Sequence, residues 1–122
     1  MKIHVLIPRK LKIEVDKELN LSNLAFSSGN FKESFNHLER AHVLGQAWPI
    51  EHTIVHWKMF VFAIKIKDRK EVLGQIPRLL IGGLKSFIGE IPVGNTGGSN
   101  VPPLSPMEIP ADLKLILRDS KK

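Results

Sequence analysis

An all-α fold is predicted: two antiparallel helical hairpins, four helices in all, with a Gly/Pro-rich segment and a short final helix after them. Three observations predict it. From Arg9 onward apolar residues recur with helical spacing. The breaks in that pattern fall on turn chemistry, at Ser27 to Asn30 and from Gly45 to Pro49. Helix starts carry a capping Asn or Asp with a glutamate three residues on. The chain has 122 residues, 43% of them apolar, enough for one domain with a modest core.

Residues 1–8 are expected to form an extended lead-in that ends at Pro8. Helix 1 is expected from Arg9 to about Ser27. Gly29 suits the positive φ of the break after it. Helix 2 is expected from Phe31 to Leu44, with Asn30 as N-cap, Glu33 as its capping-box partner and Gly45 as the stop. Pro49 suits the first turn of helix 3, which should run to about Lys67. Asp68 should cap helix 4, with Glu71 three residues later. Pro77 is expected to kink that helix, and Gly82-Gly83 to loosen or end it, leaving a short turn from Leu84 to Ile88. Residues 89–110 are rich in Gly, Pro, Asn and Ser, and their scattered apolar residues suggest a segment wrapped on the helices. A last short helix should span Pro110 to Leu117.

Composition excludes several function classes. The chain has no cysteine, so disulfides, thiolate metal sites and cysteine nucleophiles are ruled out. The apolar patch from His4 to Ile7 is too short for a secretory signal, and no apolar run reaches the ~20 residues of a membrane span. A cytoplasmic protein without membrane association is expected. The formal charge is +6, but the basic residues are dispersed and no aromatics interleave with them. A solvated basic surface is expected, with no nucleic-acid partner.

Four of the five histidines lie between residues 37 and 56. On helix 2, Phe31, Phe35, Leu38, His42 and Gly45 share a face, with Glu39 at its edge, while His37 and Arg40 point away. On helix 3, Glu51, Lys58 and Lys65 form a charged stripe expected to face water. His52 and His56 lie on a different face, four residues apart, and so project to one point. Closing the hairpin at Gln46–Pro49 places His42 opposite about Thr53 and Glu39 opposite about His56. Counting back across the first turn brings Glu18 level with Glu39. Glu39, His42, His52 and His56 are therefore expected to converge, with Glu18 as a further carboxylate. Three imidazoles with one or two carboxylates suit a single Zn²⁺, Ni²⁺, Fe²⁺ or Mn²⁺ ion. Glu39-x-x-His42 has the form used in di-iron bundles, but those need two such motifs and this chain has one. The same residues also suit a buried polar network without an ion.

Other features point to structure. Trp48, Trp57 and Met59 are expected in the core. Gly94 to Gly98 is expected to be a tight loop, since it lacks the lysine of a phosphate-binding loop. No catalytic serine arrangement is legible, so a non-enzymatic role is expected.

Ala25, Gly29, Phe31, Ser34, Leu38 and Ala41 resemble half of a tetratricopeptide repeat, with Phe31 and Ser34 where that family has tyrosine and alanine. The start points Asn30 and Asp68 lie 38 residues apart, as in a weak internal repeat. This resemblance implies helical-hairpin packing and an alternative role as an interaction module, bound to a protein partner or a second copy. LERAHVLGQ (38–46), HTIVHWKM (52–59), DRKEVLGQ (68–75) and PVGNTGG (92–98) resemble an uncharacterised bacterial family, a domain of unknown function. That resemblance brings no assigned activity. Some members come from genomic regions associated with metal resistance, which implies a link to metal homeostasis.

Overall fold

The computed structural model describes residues 6–88, Gly98 and residues 107–120, with positions 79–88 described by backbone alone. Among the described residues five helices follow in order: α1 (Arg9–Ser27), α2 (Phe31–Gly45), α3 (Pro49–Ile66), α4 (Arg69–Ile88) and α5 (Ala111–Asp119). There is no strand among the described residues, and the fold is all-α. α1 pairs with α2 and α3 with α4. α2 and α3 join the two hairpins, and α5 packs on α1 and α2. The greater part of the predicted irregular segment, with its GNTGG loop except Gly98, lies outside the described residues.

α1 buries one stripe, Leu11, Val15, Glu18 and Ser22, spaced at intervals of three and four. Small residues let α2 come close at its upper end. There the Ser22 hydroxyl donates to the Ser34 carbonyl (2.8 Å), and the Ser34 hydroxyl donates to the Ser22 carbonyl (2.9 Å). Both serines are buried, so the exchange satisfies groups that would otherwise be stranded. Lower down, Leu11, Val15, Leu38, Ala41 and Leu44 join Val55, Met59, Phe62 and Leu113 in one core.

The turns show two solutions to one problem. α1 ends with Gly29 at φ 81°, and the Asn30 amide donates back to the Ala25 carbonyl. α3 ends the same way, with the Asp68 amide donating to Ala63, but the left-handed residue is Lys67 at φ 61°. Gly45 serves differently. A Cβ there would lie 3.1 Å from the Glu51 Cβ, so its missing side chain lets the first turn of α3 fold back onto the end of α2. This corrects the expected water-facing position of Glu51, which is buried.

Helix 4 departs from expectation at Gly82-Gly83: it has Pro77 inside it and runs on past the two glycines to Ile88. Proline removes one backbone donor, and the Arg78 guanidinium donates to the Gly74 carbonyl at 2.6 Å, one turn back. The cap at Asp68 forms as expected, with the Glu71 amide donating to Asp68 Oδ1 (3.1 Å). Asn30 begins α2 as expected, but its side chain makes no capping hydrogen bond. Trp57 corrects another expectation: it is 55% exposed rather than in the core. No helix among the described residues is long and apolar enough to cross a membrane.

Two substitutions test this packing in urea or thermal denaturation. Lys67→Gly relieves a left-handed backbone at a side-chain-bearing residue and is expected to raise stability by about 0.5–1 kcal/mol. Leu113→Ala opens a cavity beneath α5 and is expected to cost about 2–4 kcal/mol. A cost near zero would place α5 outside the cooperative core.

Candidate metal centre

Each of the three imidazoles is placed by a separate local rule. His52 and His56 stand one turn apart on α3, so both rings leave the same side of the helix. His42 lies one turn before the end of α2. The short turn through Gln46 and Trp48 reverses the chain and brings His42 level with the first turns of α3. All three are buried, with 3%, 8% and 2% exposure for His42, His52 and His56.

Their Nε2 atoms form a nearly equilateral triangle. The separations are 3.0 Å for His42–His56, 3.1 Å for His42–His52 and 3.0 Å for His52–His56. The ring centroids are farther apart on every side, at 4.7–4.9 Å. The rings therefore aim their Nε2 edges inward at one point. His42, His52 and His56 would hold one ion through these nitrogens, which are close enough together to share a metal at the ~2.0–2.1 Å of a metal–imidazole bond.

A chain of hydrogen bonds sets the state of His56. The Gln75 amide nitrogen donates to Glu71 Oε2 at 2.6 Å, which turns its carbonyl oxygen toward the ring. His56 Nδ1 lies 2.6 Å from that oxygen and must be the donor, since an amide carbonyl only accepts. A neutral His56 thus keeps its proton on Nδ1 and a bare lone pair on Nε2. Burial pulls its pKa down to about 4, against the opposing hydrogen bond to Gln75 and with a further push from nearby Arg78. The ring is therefore uncharged at neutral pH, the form in which imidazole binds metal. Gln75 is fully buried, and its amide also reaches Met59 Sδ at 3.4 Å. Met59 packs in the core, as expected.

The structure brings together three of the five residues expected at this site. Among the described residues, the cluster of close metal-ligating atoms contains His42, His52 and His56, all within 4.8 Å of one another. Neither Glu18 nor Glu39 joins it. Glu18 is buried on the other side of α2, where His37 Nδ1 donates to it at 2.7 Å and Arg40 Nε at 2.9 Å. Arg40, expected to stay outside, instead bridges Glu18 to Asp112 at the start of α5. The Asp112 hydrogen bond raises the Arg40 pKa, and the same contact lowers that of Asp112. Glu39 is half-buried and lines a surface groove with Phe31, Lys32 and Asn36. It sits on the flank of α2 away from the line of Leu38, Ala41 and Gly45.

Sequence reasoning did not find Gln75 and Glu71. Counting outward from the turn at Lys67 would have placed Gln75 level with about Met59, one turn from His56.

The family model for a "Protein of unknown function (DUF3703)" matches residues 9–117. The chain belongs to this family. The match covers α1 to α4 and all but the last two residues of α5, and includes every residue of the triad and its hydrogen-bonded support. No curated protein and no solved structure matches the chain.

Arg40→Met leaves the buried Glu18 with His37 as its remaining donor among those described. It is expected to cost about 1–3 kcal/mol in denaturant unfolding. Glu18→Gln introduced beside it should recover part of that loss, because the stranded charge is gone. Equal losses in the single and double variants would contradict the pairing.

Proposed function

We propose that this protein binds one divalent transition-metal ion through His42, His52 and His56, and that it serves metal homeostasis in the cytoplasm rather than catalysis. The observation that carries the reading is the triangle of buried Nε2 atoms with the lone pair of His56 fixed inward. Three inward-facing nitrogens at such separations repel one another unless a cation or proton lies among them. Burial makes that repulsion stronger than it would be in water. A shared proton can link two of the nitrogens along one edge of the triangle. A metal ion engages all three lone pairs at once.

The donor set narrows the ion. Three imidazoles without thiolate suit Zn²⁺, Ni²⁺, Fe²⁺ or Mn²⁺. Gln75 and Glu71 act as the outer support that fixes the His56 tautomer and ring direction, the role a carboxylate or carbonyl plays behind many metal-bound histidines. Burial of the donors favours holding an ion over turning over a substrate.

Untagged protein purified without chelator is expected to carry close to one equivalent of metal by elemental analysis. Chelation followed by re-addition of the bound metal should restore its thermal stability, by about 2.7 kcal/mol at a hundredfold excess over Kd. Replacing His42, His52 or His56 by Ala should remove the metal and abolish the shift. Gln75→Leu should weaken binding by about 10- to 100-fold while leaving one site. Substoichiometric content of every transition metal, with no thermal response to Zn²⁺, Ni²⁺, Fe²⁺ or Mn²⁺, would overturn the reading in favour of a metal-free histidine network.

A further inference from the structure

Three imidazoles alone do not complete the shell of a divalent transition metal, which takes four or more donors. No carboxylate among the described residues joins the triad. A neutral oxygen stands on the right face instead. Gln46 follows α2 as its C-cap with helical backbone angles, φ -64° and ψ -25°, so its side chain keeps the period of the helix. It lies four residues after His42, about 40° round the axis from it. The two share a face one turn apart, as His52 and His56 do on α3. Counting outward from the turn between α2 and α3, His52 comes level with about Val43, between His42 and Gln46. Side chains on a helix lean toward its N-terminus, which carries the Gln46 amide back toward His42.

The state of that amide is a second, independent observation. Gln46 is 6% exposed, and its side-chain oxygen Oε1 is buried and accepts no hydrogen bond. Gln46 has other interactions in the fold, and they leave this one atom without a donor. A buried amide oxygen ordinarily has a donor, and one that lacks it calls for a water or an ion. Glu51 Oε2 is buried in the same condition. Glu51, however, lies about 100° round α3 from His52 and about 140° from His56, and it packs on Gly45.

We infer that Gln46 Oε1 is a fourth donor to the ion held by His42, His52 and His56. The site is then built from two i, i+4 pairs on neighbouring antiparallel helices, His42 with Gln46 on α2 and His52 with His56 on α3. The inference rests on the metal reading above and adds a ligand to it. An amide oxygen is uncharged, so it holds a divalent ion less tightly than a carboxylate in its place would.

The test is titration of the full chain with Zn²⁺, and with Ni²⁺, Fe²⁺ and Mn²⁺ in turn, against a competing chelator. The parent, Gln46→Leu and Gln46→Glu are compared. Gln46→Leu removes the oxygen and should weaken binding of the preferred ion at least ~10-fold, no less than the loss of an outer supporting group. Its melting temperature in EDTA should equal or exceed the parent's, because a buried acceptor without a donor is gone. Gln46→Glu sets a charged oxygen at the same place and should tighten binding ~10-fold or more. A side chain that only supports the fold gives a different pattern: the buried carboxylate costs stability in EDTA and adds nothing to metal affinity. If Gln46→Leu loses its helical circular-dichroism signal, the glutamate variant decides by itself. Gln46→Leu binding as tightly as the parent, or Gln46→Glu binding no tighter, would overturn the inference and leave the triad standing. A parent that binds none of the four ions ends the triad reading and this inference together.

Discussion

The close approach of α3 to the end of α2 is the constraint on which the centre of this molecule depends. It is permitted by the missing side chain at Gly45, where a Cβ would meet the Glu51 Cβ at 3.1 Å. With that approach the chain reverses within a few residues, and His42 lands level with His52 and His56. A wider turn would shift α3 along α2 by part of a helical turn. The Nε2 atoms would then separate by several ångströms, since each residue of slip moves a side chain about 1.5 Å along the axis. A local steric fact in the backbone is thus converted into the geometry of a site.

Burying three imidazoles in a small core has consequences for the residues around them. Neutral rings carry both a donor and an acceptor, and both must be used. For His56 the donor is used by Gln75, which is itself anchored by Glu71. That leaves the acceptor edge facing its two neighbours. The carboxylate nearest in expectation, Glu18, is committed elsewhere. Its two oxygens accept from His37 and Arg40, and Arg40 passes the connection on to α5. Glu18 and the histidine triad therefore belong to two separate sets of polar groups. One set ties α1, α2 and α5 together by charge. The other collects nitrogen donors around a point.

Much of the fold was legible because the chain punctuates its helices with residues of narrow conformational meaning. Gly29, Pro49, Asp68 and Pro110 each mark a boundary that the structure keeps. Gly82-Gly83 was misleading: the local cost of glycine is real, but α4 runs on past both residues to Ile88. At the site, the i, i+4 histidines and the level of His42 followed from helix geometry alone. The carboxylates did not follow, because level along the axis says nothing of which flank of α2 faces which neighbour. Glu39 and Glu18 were at the right height and on the wrong side. Glu71 was hidden for a different reason. Its place three residues after Asp68 fits a capping box, which concealed its hydrogen bond to Gln75.

X-ray absorption at the zinc edge of the zinc-loaded protein probes the meeting of the three rings most directly. The expected spectrum has a first shell of nitrogen and oxygen at ~2.0–2.1 Å, with outer-shell scattering from three imidazoles and no sulfur. A shell with one imidazole or none would contradict the account.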